Sequence, residues 1–317
     1  MKVFLLAPRE NWVVDRFCIE WYADNSDITL GNPYKADVIW LIADWAFDQI
    51  SYELLKKKKV LTSIHHIVPE KFGAKELELF KMRDAVTTAY HVPCQKTRVQ
   101  VEAILVQIGS TKQVHVRPFW VNEALWSPDS KTHARADLKL DASAFYVGSF
   151  QRDTEGSDLV SPKLEKGPDQ FCDAIELMQK EGMNPTPLLA GWRRQYVIGR
   201  LDTAKVPYVY KELPNFPTVK KLYAALDLYV VGSRFEGGPQ AIFECASMDV
   251  PIVSTDVGAA TEILHPGCIF NPAEPKTFLD AMTVARSDEA RDYAKVKVSD
   301  HYRVPAYNFF RSLLETL

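Results

Sequence analysis

Residues 228–247 read LYVVGSRFEGGPQAIFECAS, and this stretch decides the fold. The apolar run Leu228–Val231 predicts a short buried strand, and the spacing of apolar residues in Gln240–Met248 predicts a helix. The Gly-Gly-Pro sequence at 237–239 predicts a turn that lets the backbone approach a ligand and then starts the helix. A strand, a tight turn and a helix in this order form the repeating unit of a parallel α/β sheet.

Short apolar runs alternate with amphipathic segments along the whole chain, as expected for two successive α/β series. In the first half, strands are predicted at Val3–Leu6, Val38–Ile42, Val60–Ile64 and Ala85–Thr88, and helices at Trp12–Ala23, Tyr52–Lys57, Glu76–Arg83 and Gln95–Gln107. An irregular segment, Pro118–Lys131, is predicted to be a linker. After it, strands are predicted at Ala144–Gly148, Pro187–Ala190, Leu228–Val231 and Pro251–Ser254, and helices at Asp169–Glu181, Thr218–Ala225, Gln240–Met248, Pro275–Arg286 and Val304–Leu317.

The length of the chain, 317 residues, with 47% hydrophobic residues, suffices for two domains of ordinary size. We predict an N-terminal domain over residues 1–125 that serves the acceptor and a C-terminal domain over 126–303. Each would be a Rossmann-like, doubly wound parallel sheet, and the two would face a cleft because ligands bind at the carboxyl ends of parallel strands. The last helix, 304–317, is expected to pack back on the first domain.

Charge and cysteine content exclude several classes of protein. A net charge of −3 argues against a dedicated nucleic-acid-binding protein. The basic run Lys56–Lys59 fits a solvated helix end, with a peripheral membrane contact as the alternative. The five cysteines lack metal-binding spacing, which favours a reducing compartment and no structural zinc. Because no stretch approaches the about 20 apolar residues of a membrane helix, and the N-terminal apolar run is too short for a signal peptide, we expect a cytoplasmic protein.

Two carboxylates flank the glycine-rich turn. Glu236 precedes it and Glu244 lies within the following helix, with seven residues between them. A carboxylate can accept two hydroxyl hydrogen bonds, which matches the vicinal diols of a ribose and of a hexose. The free N–H groups at the start of the helix favour a phosphate. One short element could therefore hold a sugar, a diphosphate and a ribose, although the spacing alone also fits a surface glutamate beside an ordinary turn.

The pattern R-x-E-G-G-P-x-x-x-x-E at 234–244 resembles the EX7E segment of retaining glycosyltransferase family 4. The flanking stretches Leu222–Asp227 and Val250–Gly258 resemble the helix and the strand that surround this segment in the family. The resemblance covers most of residues 140–290 and implies a GT-B fold with a nucleotide-sugar in the C-terminal domain. The implied donor-binding residues are Glu244, Gly237, Gly238, Pro239 and Gln240, beside Glu236 as a catalytic residue.

Two cations upstream add to this resemblance. Arg152 follows Gly148 and precedes the pair Lys166-Gly167, and the family uses such an Arg and Lys to hold the donor diphosphate. A departing nucleoside diphosphate builds negative charge that fixed cations stabilise. The chain contains no Asp-x-Asp pattern, so Arg152, Lys166 and the helix N-terminus would do this without a metal ion. The spacing between the two cations is longer than usual in the family, which makes Lys163 an alternative to Lys166.

The resemblance also suggests a nucleobase contact. Tyr210 lies in the stretch Tyr208–Leu213, which is similar to the base-binding strand end of the family. We predict that Tyr210 stacks on the base, although a buried sheet tyrosine fits the same pattern.

In the first domain the resemblance is limited to one strand end and departs in one loop. His65 matches a histidine that approaches the donor sugar in the family, and His66 replaces the family's Asp; a core histidine is the alternative. Residues 8–12 lack the Gly-Gly pair of the family, so either Arg9 or Asn11 contacts the donor by its side chain, or this loop serves the acceptor.

Together these features predict a metal-independent retaining glycosyltransferase without a cofactor. It would move a sugar from a nucleotide-diphosphate-sugar to a carbohydrate or glycoconjugate acceptor in the synthesis of a surface glycan or glycoconjugate, with UDP or GDP as the nucleotide. A same-face reaction is our hypothesis, in which Glu236 orients the donor sugar and the leaving phosphate takes the acceptor's proton. A nucleotide-sugar epimerase of the same fold and a catalytically idle binding module are the alternatives.

Overall fold

A computed structural model describes residues 1–10, 12–156 and 158–317. Its strands are β1 (Val3–Leu6), β2 (Val38–Leu41), β3 (Lys59–Ser63), β4 (Ala89–Val92), β5 (Val114–Val116), β6 (Phe145–Ser149), β7 (Pro185–Ala190), β8 (Val209–Lys211), β9 (Leu228–Val231), β10 (Ile252–Thr255) and β11 (Ile269–Phe270). Its α-helices are α1 (Val13–Asp24), α2 (Tyr52–Leu55), α3 (Ala74–Asp84), α4 (Gln95–Ile108), α5 (Lys131–Leu138), α6 (Pro168–Lys180), α7 (Gln195–Ala204), α8 (Phe216–Ala224), α9 (Gln240–Met248), α10 (Ala260–Ile263), α11 (Lys276–Ala285), α12 (Asp288–Ser299) and α13 (Arg303–Thr316).

The chain forms two compact units. The first unit contains Met1–Trp120 and Arg303–Leu317, and the second contains Val121–Tyr302. The first unit is built on a five-stranded sheet in the order β1-β2-β3-β4-β5, and the second on a six-stranded sheet in the order β11-β10-β9-β6-β7-β8. Neighbouring strands are parallel in both sheets. Two parallel sheets with helices confirm the predicted fold class.

The two sheets differ in the order of their strands. In the first, the spatial order follows the chain. In the second, the chain begins in the middle at β6, proceeds through β7 to β8 at one edge, and returns to β9 on the other side of β6. Such a reversal opens a crevice at the carboxyl ends of the two central strands, where α/β sheets bind ligands. The doubly wound order is therefore a property of the second sheet, and it places a candidate site between β6 and β9.

One predicted strand is wrong. Residues Ala85–Thr88 form the turn that ends α3, in which two backbone N–H groups donate to the carbonyl of Arg83 at 3.1 and 3.0 Å. The strand is Ala89–Val92, where His91 interrupts the apolar pattern. Burial lowers the pKa of His91 to about 3, and its Nδ1 lies 2.8 Å from Ser63 Oγ. His91 is therefore neutral and hydrogen-bonded, and such a histidine can lie in a buried strand. The apolar pattern did not indicate β4 because this polar residue interrupts it.

Four helices, α5, α7, α10 and α12, are absent from the prediction. The two longest of them, α7 and α12, have a mostly polar surface. Helix α12 buries only Ala290, Ala294 and Val298, which recur every four residues along one narrow stripe. Helix α7 buries Val197 and Leu201. Stripes this narrow are typical of helices that cover a core which other elements already fill.

The C-terminal helix α13 packs in the first unit. It contributes Tyr307 and Phe310 to a cluster of aromatic rings with Trp21 and Trp40. The ring centroids of Trp40 and Phe310 are 4.8 Å apart, and those of Trp21 and Tyr307 are 5.4 Å apart. Because each such ring buries about 150–250 Å², this helix completes the core of the first unit. In the sequence, the whole second unit lies between this helix and the rest of the first unit.

The basic run Lys56–Lys59 follows α2 and ends at the first residue of β3, and α2 ends at Leu55, two residues before its predicted end. Lys58 Nζ donates to two backbone carbonyls of the segment before β2, at 2.9 and 2.6 Å. Lys56 pairs with Glu53 at 2.9 Å. Two of the four cations thus form contacts within the first unit.

Two further observations concern the cysteines and the possibility of a membrane-spanning helix. All five cysteines are buried and none forms a disulfide. Within the described residues, no helix combines the length and the apolar character needed to cross a membrane.

Candidate functional site

At the reversal in the second sheet, the loop after β6 crosses the loop after β9. The crossing point is formed by Gly167 and Gly232. Gly167 has a φ of +61°, and a Cβ at this position would lie 1.6 Å from the carbonyl oxygen of Gly232. Glycine is therefore required here for both conformation and space. The crossing brings Lys166 next to the glycine-rich turn that was predicted to bind the donor.

Lys166 and Glu236, two of the predicted site residues, form an ion pair at this crossing. Lys166 Nζ lies 2.5 Å from Glu236 Oε1, and the side chains are 20% and 14% exposed. Ser233 contacts both residues, with its Oγ 3.3 Å from the carbonyl oxygen of Lys166 and 3.5 Å from Glu236 Oε1. Lys163, the rival cation, pairs with Glu165 at 3.6 Å. Lys166 is thus the lysine that the fold places beside Glu236.

The loop that carries Glu236 is held from two sides. Arg234 makes a two-pronged contact with Asp169 at the start of α6, with Nη1–Oδ1 and Nη2–Oδ2 distances of 2.8 and 2.6 Å. On the other side, a Cβ at Gly258 would lie 2.2 Å from the carbonyl oxygen of Gly237. The N–H of Ala259 donates to that same oxygen at 2.9 Å. Such contacts restrict the geometry in which Glu236 is presented.

Helix α9 begins directly after this turn. Pro239 is the residue before the first helical residue, Gln240, and it provides no side-chain cap. Gly237 and Pro239 are buried, whereas Gly238 and Gln240 are half-buried. Pro239 thus precedes the first turn of the helix, one position earlier than its predicted role. The helix dipole points its positive end at the turn, which favours an anion there.

A cation, a carboxylate and a helix N-terminus therefore share one loop cluster. The Lys166 ammonium and backbone N–H groups can donate to phosphate oxygens, and the Glu236 carboxylate can accept from hydroxyl groups. Among the residues that the structure describes, no group of three His, Cys, Asp or Glu side chains is placed to hold a metal ion. The arrangement suits a ligand that carries both phosphate and hydroxyl groups.

Glu244 lies on the buried face of α9 and is 6% exposed. Its Oε2 accepts a hydrogen bond from the Tyr223 hydroxyl at 2.8 Å. Burial, together with the neighbouring carboxylate, raises the pKa of Tyr223 well above its ordinary value, so the phenol stays protonated and donates. The Tyr223 ring packs on Phe150 at 4.8 Å and on Trp126 at 5.6 Å between ring centroids. Sequence reasoning missed this tyrosine, because nothing local pairs it with Glu244.

Replacing Tyr223 by phenylalanine should lower the free energy of unfolding by about 1–3 kcal/mol, because a buried carboxylate loses a hydrogen-bond donor. Urea denaturation of the wild type, Tyr223→Phe, Glu244→Gln and the double variant measures the coupling between the two side chains. We expect Tyr223→Phe to cost less in the Glu244→Gln background. An equal cost in both backgrounds would show that the pair is not coupled.

Arg152 follows β6 and is oriented by two contacts. Its Nε donates to the carbonyl of Thr154 at 2.8 Å, and its guanidinium carbon lies 5.9 Å from the centroid of the Trp192 ring. The preceding residue, Gln151, donates from Nε2 to the carbonyl of Lys166 at 2.6 Å. Arg152 therefore belongs to the loop that contacts Lys166, while its own guanidinium packs on Trp192.

A buried ion pair anchors the loop that carries Arg152. Arg194 Nε lies 3.0 Å from Asp153 Oδ2, and the side chains are 0% and 1% exposed. Arg194 also donates to the carbonyls of Ser149, at the end of β6, and Ala190, at the end of β7. Removal of one partner of such a pair leaves a buried charge and is strongly destabilising. Sequence reasoning did not single out either residue, since a pairing over 41 positions has no local signature.

The remaining two predicted residues, Tyr210 and His65, lie on or after other strands. Tyr210 is on β8, at the edge of the second sheet, and its hydroxyl donates to the carbonyl of Gly191 at 2.9 Å. Strands β6 and β7 separate it from β9. His65 follows β3 in the first unit, where its Nε2 lies 2.8 Å from the carbonyl oxygen of Ile42 and its ring stacks on Phe119 at 5.0 Å. Each ring is thus held by a hydrogen-bond contact with a backbone carbonyl. Tyr210 does not lie on a strand next to β9, the strand that precedes Glu236.

The loop after β1 uses its backbone donors internally. The N–H groups of Arg9, Glu10 and Trp12 donate to the Asp15 carboxylate at 2.9, 2.8 and 3.3 Å. Asn11, the other predicted donor contact, lies outside the described residues. Converging N–H groups of this kind can bind an anion, but here the anion is a side chain of the same loop and helix.

Comparison with known proteins locates this site within a recognised domain. Residues 158–288, which include Lys166, Glu236 and Glu244, match the family described as glycosyl transferases group 1. A segment covering 52% of the chain is 26% identical, over 182 residues, to the lipopolysaccharide core biosynthesis mannosyltransferase LpsB of Rhizobium meliloti. The matched segment spans about half of that relative, 48% of its length.

Solved structures share the architecture of both units. Anabaena HepE in complex with UDP-glucose superposes with a TM-score of 0.78 at 15% identity, over 99% of each chain. Sucrose-phosphate synthase from Thermosynechococcus elongatus superposes with a TM-score of 0.67 at 17% identity, over 96% of this chain and 78% of that one. The chain therefore has the GT-B fold, and its residues 158–288 match the glycosyl transferases group 1 family.

Proposed function

We propose that the chain is a retaining glycosyltransferase that moves a sugar from a nucleoside-diphosphate sugar to an acceptor hydroxyl. The observation that carries this proposal is the Lys166–Glu236 pair at the reversal of the second sheet. The names of similar proteins support it: LpsB is a mannosyltransferase of lipopolysaccharide core biosynthesis, and HepE binds UDP-glucose. The same comparison supports a carbohydrate or glycoconjugate acceptor in glycan synthesis.

In this proposal the donor lies across the carboxyl ends of β9 and β6. The Lys166 ammonium and the start of α9 face the diphosphate, and Arg152 is the second cation of the same loop cluster. Glu236 accepts hydrogen bonds from hydroxyl groups of the donor sugar. Glu244 accepts hydrogen bonds from the ribose hydroxyl groups, since a carboxylate accepts several hydrogen bonds.

The proposed reaction takes place on one face of the sugar. The bond between the anomeric carbon and the leaving diphosphate oxygen breaks, and the negative charge that develops on the diphosphate is stabilised by Lys166 and Arg152. The same diphosphate oxygen takes the proton of the acceptor hydroxyl as the new carbon–oxygen bond forms. Because the cations are part of the protein, the reaction as proposed needs no metal ion.

The donor site predicts different behaviour for the two rival lysines. UDP-, GDP- and ADP-sugars are compared by thermal unfolding, since a ligand at a hundred times its Kd adds about 2.7 kcal/mol to stability. We expect a UDP-sugar to give the largest shift, and Lys166→Ala to abolish it because the diphosphate loses its closest cation. Lys163→Ala is the matched control and should retain the shift.

The product distinguishes the proposed function from its alternatives. We expect nuclear magnetic resonance to show the donor's anomeric configuration in the product, and transfer to continue in excess EDTA. A new nucleotide-sugar formed without any acceptor would identify an epimerase, and loss of transfer in EDTA that magnesium or manganese restores would refute metal independence.

A further inference from the structure

Three rings follow consecutive strands of the first sheet. Trp12 follows β1, Trp45 follows β2 and His65 follows β3, and these strands are neighbours in that order. Adjacent strands lie about 4.8 Å apart, so the loops at their carboxyl ends are also neighbours. Gln49 Nε2 donates to the carbonyl of Pro8 at 3.1 Å, which joins the first two loops. The three loops that carry these rings are therefore neighbours at one edge of the sheet.

The two tryptophans on this edge are both exposed to solvent. Trp12 and Trp45 are each 42% exposed. The Trp45 ring lies 5.0 Å from the His65 ring, which itself stacks on the buried ring of Phe119 at an interplanar angle of 22°. The hydrogen-bond contact of His65 with Ile42 holds the imidazole in place. Trp45 is thus supported on one side by a fixed stack of rings and still presents part of its surface to solvent.

The loop that carries Trp12 is unsuited to the donor diphosphate. Its three converging N–H groups already bind the Asp15 carboxylate, and a phosphate placed there would meet a like charge. In the proposed transferase the donor-binding cations, Lys166 and Arg152, belong to the second unit. This edge of the first sheet is therefore left for the other substrate.

The chemistry of the edge favours a sugar. The C–H groups on one face of a pyranose carry partial positive charge and pack on the negative face of an indole ring. Exposed polar residues lie in the same loops as the tryptophans, namely Glu10, Asp48 and Gln49, and they can pair with hydroxyl groups at the rim of a sugar. An acyl chain would need a continuous apolar patch instead.

We propose that Trp12 and Trp45 form a stacking platform for a pyranose ring of the acceptor. This inference rests on the proposed glycosyl transfer, and it names the acceptor as a carbohydrate held by ring stacking in the first unit. His65 acts as a positioning residue that fixes the orientation of Trp45.

Saturation-transfer difference NMR tests the platform without any donor. The probes are methyl β-D-glucopyranoside and methyl α-D-mannopyranoside. We expect the strongest saturation on the ring protons of one pyranose face, and at least a threefold loss of saturation in Trp45→Ala and in Trp12→Ala. Tyr34→Ala is the matched control, because Tyr34 is 69% exposed and precedes β2, at the opposite end of the same sheet.

The outcomes separate this inference from the proposed function. Absence of saturation transfer to both glycosides in the wild type, or unchanged transfer in Trp45→Ala, would overturn the platform. Stabilisation by UDP-sugars should persist in Trp45→Ala, because the donor groups lie in the second unit. Glycoside binding that depends on the tryptophans, in a protein that no nucleotide-sugar stabilises, would support the platform and refute the donor site.

Discussion

Replacing Glu236 by alanine is expected to lower kcat/KM for sugar transfer by about 10²–10³-fold, the usual cost of losing a group that acts on the transition state. The physical reason is its position 2.5 Å from Lys166, at the reversal of the sheet. In the proposed site the lysine would still attract the diphosphate without the carboxylate, but the donor sugar would lose the group that orients its anomeric carbon. Initial rates with the donor selected by thermal unfolding measure the effect.

The ion pair between Lys166 and Glu236 allows a second test of the role of Glu236. Because the two side chains are in contact, their substitutions should not be additive, and Glu236→Ala with Lys166→Ala should cost less than the sum of the single changes. Glu181→Ala, which removes an exposed carboxylate at the end of α6, serves as the control and should leave the rate within twofold. A Glu236→Ala enzyme with wild-type kcat/KM would remove Glu236 from the site.

Replacing Gly167 by alanine should lower the free energy of unfolding of the second unit by about 2–5 kcal/mol, since strain in the left-handed region and overpacking each cost one to a few kcal/mol. The new Cβ would lie 1.6 Å from the carbonyl oxygen of Gly232, a backbone atom that cannot rotate away. The two loops would separate, and Lys166 would move from Glu236. Urea denaturation followed by tryptophan fluorescence measures the first effect, and the transfer rate measures the second.

Gly182→Ala is the matched control for this prediction. Gly182 also has a positive φ, +80°, but a Cβ there would meet no atom within 4 Å. Its substitution carries the conformational cost alone, about 1–2 kcal/mol. If the two alanine variants were equally stable, the close crossing of the loops at Gly167 would contribute nothing to the free energy of unfolding. The crossing could then not be the feature that positions Lys166.

Local signals in the sequence were enough for the central unit of the fold. Strand β9 and helix α9 have the predicted bounds, Leu228–Val231 and Gln240–Met248. Their apolar spacing and the Gly-Gly-Pro turn between them act over a few residues, so they can be read without knowledge of the rest of the chain. The same local signal failed where a buried polar residue, His91, interrupted a core strand.

What the sequence by itself determined is therefore the alternation of strands and helices and the residue types of the candidate site. Only the tertiary structure decided which of them meet. Lys166 and Glu236 are 70 positions apart, and Tyr223 and Glu244 are 21 apart. The first contact depends on the strand order that places β6 beside β9, and on a glycine crossing with space for no side chain. The second depends on the packing of α8 against α9. Strand order is set by the packing of whole elements, whereas periodicity reports only which face of each element is buried.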